Sequence, residues 1–105
     1  MRVLSQGHKY IAQNYDNPDN GQPIQFIEKR RSAFDEDNAP METVNDGTTN
    51  EEILAILIDR MQVLQAKVAC RENAIVITKL EESLMWLKKR SYERTARAVE
   101  GTAAK

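Results

Sequence analysis

Residues 48–98 restrict the fold more than any other part of the chain. The run "TTNEEILAILIDRMQVLQAKVA" opens on a capping signal: Thr49 can cap a helix, and Glu52 stands three residues later to reach back. Thr48 with Glu51 offers nearly the same pair. Ile53, Leu54, Leu57, Met61, Leu64 and Val68 then recur at helical spacing and form one apolar stripe. After the short break "ACREN", a second helix is predicted from about Glu72 to about Ala98, with Val76, Ile77, Leu80, Leu84 and Leu87 as its main stripe. So short a break folds the two helices back on each other as an antiparallel hairpin.

Each helix carries a second apolar stripe. Ile56 and Val63 lie off the first helix's main row, flanked by Arg60 and Lys67. Ile75 and Trp86 do the same on the second helix, among Lys79, Arg90 and Arg97. At 100° per residue the second stripe stands roughly 80–120° from the first. A two-helix hairpin covers one face of each helix, and the remaining faces need another surface. A second copy of the same chain supplies one, which predicts a homo-oligomer. The alternative is a monomer whose N-terminal sheet folds over the second stripe.

The N-terminal half reads as β structure. "GHKYIAQNY" at 7–15 and "QPIQFIEKR" at 22–30 are β-leaning runs on either side of the turn signal "DNPDNG". They predict an antiparallel hairpin. Residues 31–40 read as a loop, and "METVN" at 41–45 as a third strand of the same small sheet. The expected class is therefore α+β: a small N-terminal antiparallel sheet in 1–47, a helical hairpin in 48–98 and a tail in 99–105. With 105 residues this is expected to be a single domain.

Composition excludes several function classes. The 15 Lys and Arg nearly balance the 16 Asp and Glu, giving a net charge of −1, whereas a general nucleic-acid binder is usually basic. One cysteine, Cys70, allows no internal disulfide and no Cys-rich zinc site. No apolar run reaches membrane-span length. The opening "MRVLSQGHKY" lacks the apolar centre of a signal peptide. The expectation is a soluble protein of a reducing cytoplasm. No catalytic constellation is present either. His8 is placed in a strand with no nucleophile near it in sequence, and Cys70 has no histidine partner and reads as a cap near a helix start. There is no phosphate-binding glycine loop. The chain reads as a non-enzyme without a metal or cofactor.

What chemistry remains lies in "KKRSYERTAR", residues 88–97. Arg90, Arg94 and Arg97 fall at i, i+4 and i+7 on one helix face, beside Trp86 and Tyr92. Arginines can hold phosphate through paired hydrogen bonds, and the aromatic rings can stack on a base. Asn73, at the other end of the helix, has both a donor and an acceptor for reading a base or sugar edge. A plain reading competes with this one: cations at a helix C-terminus are favourable without any ligand. Asn73 and Arg90 are also about 25 Å apart along the helix. One nucleotide-sized ligand can reach both only if two copies lie with their second helices antiparallel. Val63 would stand near Asn73 across the hairpin turn.

"NDGTTNEEILAILIDRM", "CRENAIVITKLEESLMWLKKR" and "VEGT", with "GQPIQFIEKR" upstream, resemble the phage anti-Thoeris sponge proteins, the first Thoeris anti-defence family, which share a helical-hairpin domain with phage anti-CBASS sponges. The resemblance implies a protein without catalytic activity that binds a cyclic nucleotide immune signal, glycocyclic ADP-ribose, and holds it without degrading it. It also implies dimers assembled to a hexamer, separate sites for cyclic di- or trinucleotides, and action in the host bacterial cytoplasm. The positions that match the family's ligand contacts are Asn73 in "CREN", Arg90 and Arg94 in "KKRSYER", and Val63, where relatives carry an aromatic residue. Arg71, Trp86 and Arg97 are candidates for secondary contacts. Ala98 departs from the family, which has glycine there. The alternative function is a small non-enzymatic interaction module whose second stripe docks a bacterial or phage protein.

Overall fold

The structure is a computed structural model that describes residues 1–30 and 41–96. The 31–40 loop, Arg97, Ala98 and the 99–105 tail lie outside the described residues. The chain divides into two compact units, one within Met1–Thr49 and one beginning at Asn50. The α+β class and the order of sheet before helices are as the sequence predicts.

The first unit holds five strands. β1 (Arg2–Ser5), β2 (Lys9–Gln13) and β3 (Gly21–Gln25) form an antiparallel sheet in that order. β4 (Glu28–Arg30) pairs with β5 (Glu42–Asn45) in a separate two-stranded ribbon. Two expectations are corrected here. β1 is a strand that the sequence reading did not include, and "METVN" does not join the first sheet.

Both corrections have local causes. Ser5, Gln6, Gly7 and His8 make a tight turn, closed by the His8 N–H on the Ser5 carbonyl at 2.9 Å. Gly7 takes φ of +82°, the backbone that the third residue of a type II turn needs. This turn folds β1 onto β2 and puts His8 in a turn, not in a strand. The 22–30 run breaks in two because its backbone changes partner in the middle. The Phe26 N–H donates to the His8 carbonyl at 2.7 Å, and the Ile27 N–H then donates to the Thr48 carbonyl at 2.8 Å. Thr48 answers by donating to the Gln25 carbonyl at 2.8 Å. Gly47 passes so close here that a Cβ would lie 2.5 Å from the Gln25 carbonyl oxygen. Within this unit the Tyr10 and Phe26 rings meet edge to face with centroids 6.1 Å apart.

The second unit is the helical hairpin. α1 (Asn50–Lys67) and α2 (Arg71–Ala96) are joined by only Val68, Ala69 and Cys70. Acids occupy the first turn of α1, at Glu51 and Glu52, where the helix dipole favours them. The facing rows are legible from burial. On α1, Glu51, Leu54, Ile58, Met61 and Gln65 are shielded, with Ile53 and Leu64 beside them. On α2 the shielded row is Asn73, Ile77, Leu80, Leu84, Leu87, Ser91 and Arg94. Both rows alternate steps of three and four, the signature of two helices packed side by side.

The predicted main stripes match these rows at Ile53, Leu54, Met61 and Leu64 on α1 and at Ile77, Leu80, Leu84 and Leu87 on α2, and miss at three positions. Leu57, Val68 and Val76 are exposed, while Ile58, left out of the stripe, is buried to 9% exposure. Two adjoining apolar stripes on one helix make this slip easy, since either can face the partner. α2 with its 26 residues outruns the 18 of α1. Its last two turns, which hold Arg90 and Arg94, therefore run past the first residues of α1, although Ser91 and Arg94 there stay half-buried.

Candidate ligand-binding site on the helical hairpin

Apart from Val63 on α1, the described candidate residues sit toward the two ends of α2. At the turn, Cys70 occupies the N-cap position of α2, and its sulfur accepts the Asn73 N–H at 3.4 Å. This satisfies one of the free donors of the first turn. Cys70 is itself held by the last turn of α1. Its N–H donates to Gln65 Oε1 at 3.0 Å, and its carbonyl accepts from Gln65 Nε2 at 2.9 Å. One carboxamide thus pairs with both backbone groups of a single residue, as a neighbouring strand would. The capping role expected for Cys70 is what the structure shows.

Asn73 is half-buried and lies on the row of α2 that faces α1. Arg71, the first residue of α2, is exposed and points to a different face. With Ala74, Ile75, Thr78 and Lys79 it lines an open concavity of about 270 Å³. Val63 on α1 is 50% exposed, so its isopropyl group is open to a partner or ligand.

At the far end, Arg90 is exposed and Arg94 half-buried. They are one turn apart. Trp86 is 57% exposed, with Lys89 Nζ over its ring at 5.7 Å from the centroid. That is a cation–π contact, and it occupies one face of the indole. Lys89 also pairs with Glu93 one turn on. Arg97 lies outside the described residues. The cluster at this end is thus cationic but partly compensated, with Arg90 as its exposed guanidinium.

The structure does not bring the two ends together in one chain. α2 runs without a break from Arg71 to Ala96, so Asn73 and Arg90 stay about 25 Å apart on one rigid rod. They are also turned from each other by about 100° around the helix axis. The second apolar stripe does stand open: Ile56 is 58% exposed and Ile75 45%, alongside Val63 and Trp86. Gln65 is the site feature the sequence reading missed. Its signal was a polar residue in register with Leu54, Ile58 and Met61 just before a turn.

A continuous two-helix hairpin, with an asparagine at one end of its longer helix and arginines at the other, places the chain in a class of small helical-hairpin domains. The model of the Acb2/Tad1 hairpin domain matches residues 27–91. The chain belongs to that family. The match contains Val63, Arg71, Asn73, Trp86 and Arg90 and ends before Arg94. A relative from Bacillus phage SBSphiJ7, described as "Thoeris anti-defense 1", is 55% identical over 60 residues. That alignment covers 56% of this chain and 42% of the relative, so the chain spans less than half of the phage protein's length. Among the described residues, no helix is long and apolar enough to cross a membrane.

Proposed function

We propose that this chain is a phage anti-defence protein that sequesters a cyclic nucleotide immune signal, glycocyclic ADP-ribose, in the cytoplasm of the infected host. It acts by stoichiometric capture, without degrading the signal. The observation that carries this reading is the family membership, joined to kinship with a phage protein named for acting against Thoeris defence. The geometry supports it in two ways. Exposed apolar side chains on both helices offer a surface for a second copy. Two α2 helices laid head to tail would set Asn73 of one copy near Arg90 and Arg94 of its twin. Arginines would then neutralise the diphosphate, Asn73 would read a base or ribose edge, and Val63 would flank it. Such dimers would assemble to a hexamer. Cyclic di- or trinucleotides would be taken up apart from this pocket, with Arg71 a contact for them.

Native mass spectrometry with and without glycocyclic ADP-ribose tests the proposal. The expected result is an even number of subunits carrying one ligand per composite pocket. After denaturation the ligand should be recovered with unchanged mass. A monomer that binds nothing rejects the pocket, and a cleaved product places the protein among enzymes.

The open apolar stripe also favours a second reading, a module that docks a bacterial or phage protein. A thermal-shift screen separates the two. A ligand at a hundred times its dissociation constant adds about 2.7 kcal/mol of stability. No shift with any cyclic nucleotide favours the protein partner.

A further inference from the structure

We propose that Gln65 is a positioning residue for the ligand-reading end of the hairpin: it fixes where Asn73 stands by clamping the backbone of Cys70. The inference rests on the proposed role of Asn73 in capture. Its geometry is independent of that role.

Three hydrogen bonds form an unbroken path. Gln65 Oε1 accepts the Cys70 N–H at 3.0 Å, and Gln65 Nε2 donates to the Cys70 carbonyl at 2.9 Å. Cys70 Sγ then accepts the Asn73 N–H at 3.4 Å. The first two bonds leave Cys70 little freedom, because both of its backbone groups are engaged by one planar carboxamide. The third passes that constraint to the third residue of α2. The Ala74 N–H donates to the Cys70 carbonyl as well, at 3.2 Å, so this oxygen serves both the clamp and the first helical hydrogen bond. The joint of Val68, Ala69 and Cys70 is exposed, and besides the clamp the Val68 N–H donates to the Leu64 carbonyl at 3.0 Å. A reading group is only as selective as its placement is fixed, and an error of about 1 Å is enough to break a bidentate contact.

The role differs from a purely structural one in a measurable way. Gln65→Met keeps the length of the stem and removes both hydrogen bonds. Its dissociation constant for glycocyclic ADP-ribose should rise at least tenfold, while the helical circular dichroism is kept. The Cys70 amide should exchange with solvent at least tenfold faster. The loss should also be shared with Asn73: the double variant Gln65→Met, Asn73→Ala should bind no more weakly than Asn73→Ala alone. Residues that act through one another show this non-additivity, and independent ones do not. Additive losses, or wild-type affinity in Gln65→Met despite fast Cys70 exchange, overturn the positioning role. If the unaltered protein binds no glycocyclic ADP-ribose, the proposed function fails by itself. The positioning is then decided by the side-chain amide resonances of Asn73. They move in Gln65→Met if the clamp sets this residue, and an unmoved pair rejects it.

Discussion

Arg90 and Arg94 look equivalent in sequence, and their surroundings make them different tools. Arg90 is exposed, so Arg90→Ala should leave the fold intact and abolish capture of a diphosphate ligand. Calorimetric titration against glycocyclic ADP-ribose reads this directly. Arg90→Lys should recover only part of the affinity, because an ammonium cannot make the paired bonds of a guanidinium. Arg94 is half-buried on the inner row of α2, so its loss mixes binding with packing. Cys70 allows a second residue-level prediction. A serine hydroxyl is a better N-cap acceptor than a thiol. Cys70→Ser should therefore keep or raise the melting temperature, while Cys70→Ala should cost about 1 kcal/mol in denaturant unfolding. The capping role was legible because a small polarisable side chain stood just before an apolar-periodic run. The clamp by Gln65 was less so: its place in the row of Leu54, Ile58 and Met61 marks it as inward-facing, but nothing local names Cys70, five residues on across the turn, as its partner.

At the scale of elements, the hairpin rests on a thin core. Ile58, at 9% exposure, is the one buried side chain among the described residues. Ile58→Ala should remove about 2 kcal/mol or more from the helical unit, read by thermal or denaturant melting. Leu57→Ala, one position along but exposed, should cost far less. Both helices and the turn between them were read from the sequence closely: α1 closes at Lys67 and α2 opens at Arg71, near the break placed at "ACREN". The facing row was read less well, because an apolar residue at 57 satisfies the same local pattern as one at 58. The sheet was the hardest element. β1 depends on the left-handed Gly7, and β3 and β4 part where Thr48 takes over as backbone partner. Gly7→Ala meets no steric obstacle, so its cost should be the backbone strain alone, about 1 kcal/mol.

At the scale of the whole molecule, the open stripe decides the expected behaviour in solution. Trp86 is largely exposed within the chain, so Trp86→Glu should hardly disturb the fold. If the stripe is the seam between copies, the same change buries a charge there and should reduce the assembly to monomers. Native mass spectrometry and circular dichroism, taken together, test both halves of this statement. An assembly unchanged in Trp86→Glu would place the seam elsewhere.

The sequence by itself determined the class of the fold, the two helices with the break between them, and the family. It could do so because helical periodicity, capping residues and a polar break are local, and local patterns survive without knowledge of distant partners. It also set arginines, which can hold phosphate, near the end of the second helix. Tertiary structure alone decided that Ile58 and not Leu57 faces inward, that β1 joins the first sheet and β5 does not, and that Arg90 is more open than Arg94. Each of those outcomes depends on competition among surfaces far apart in the chain, where neighbouring positions offer nearly the same local chemistry and packing makes the choice.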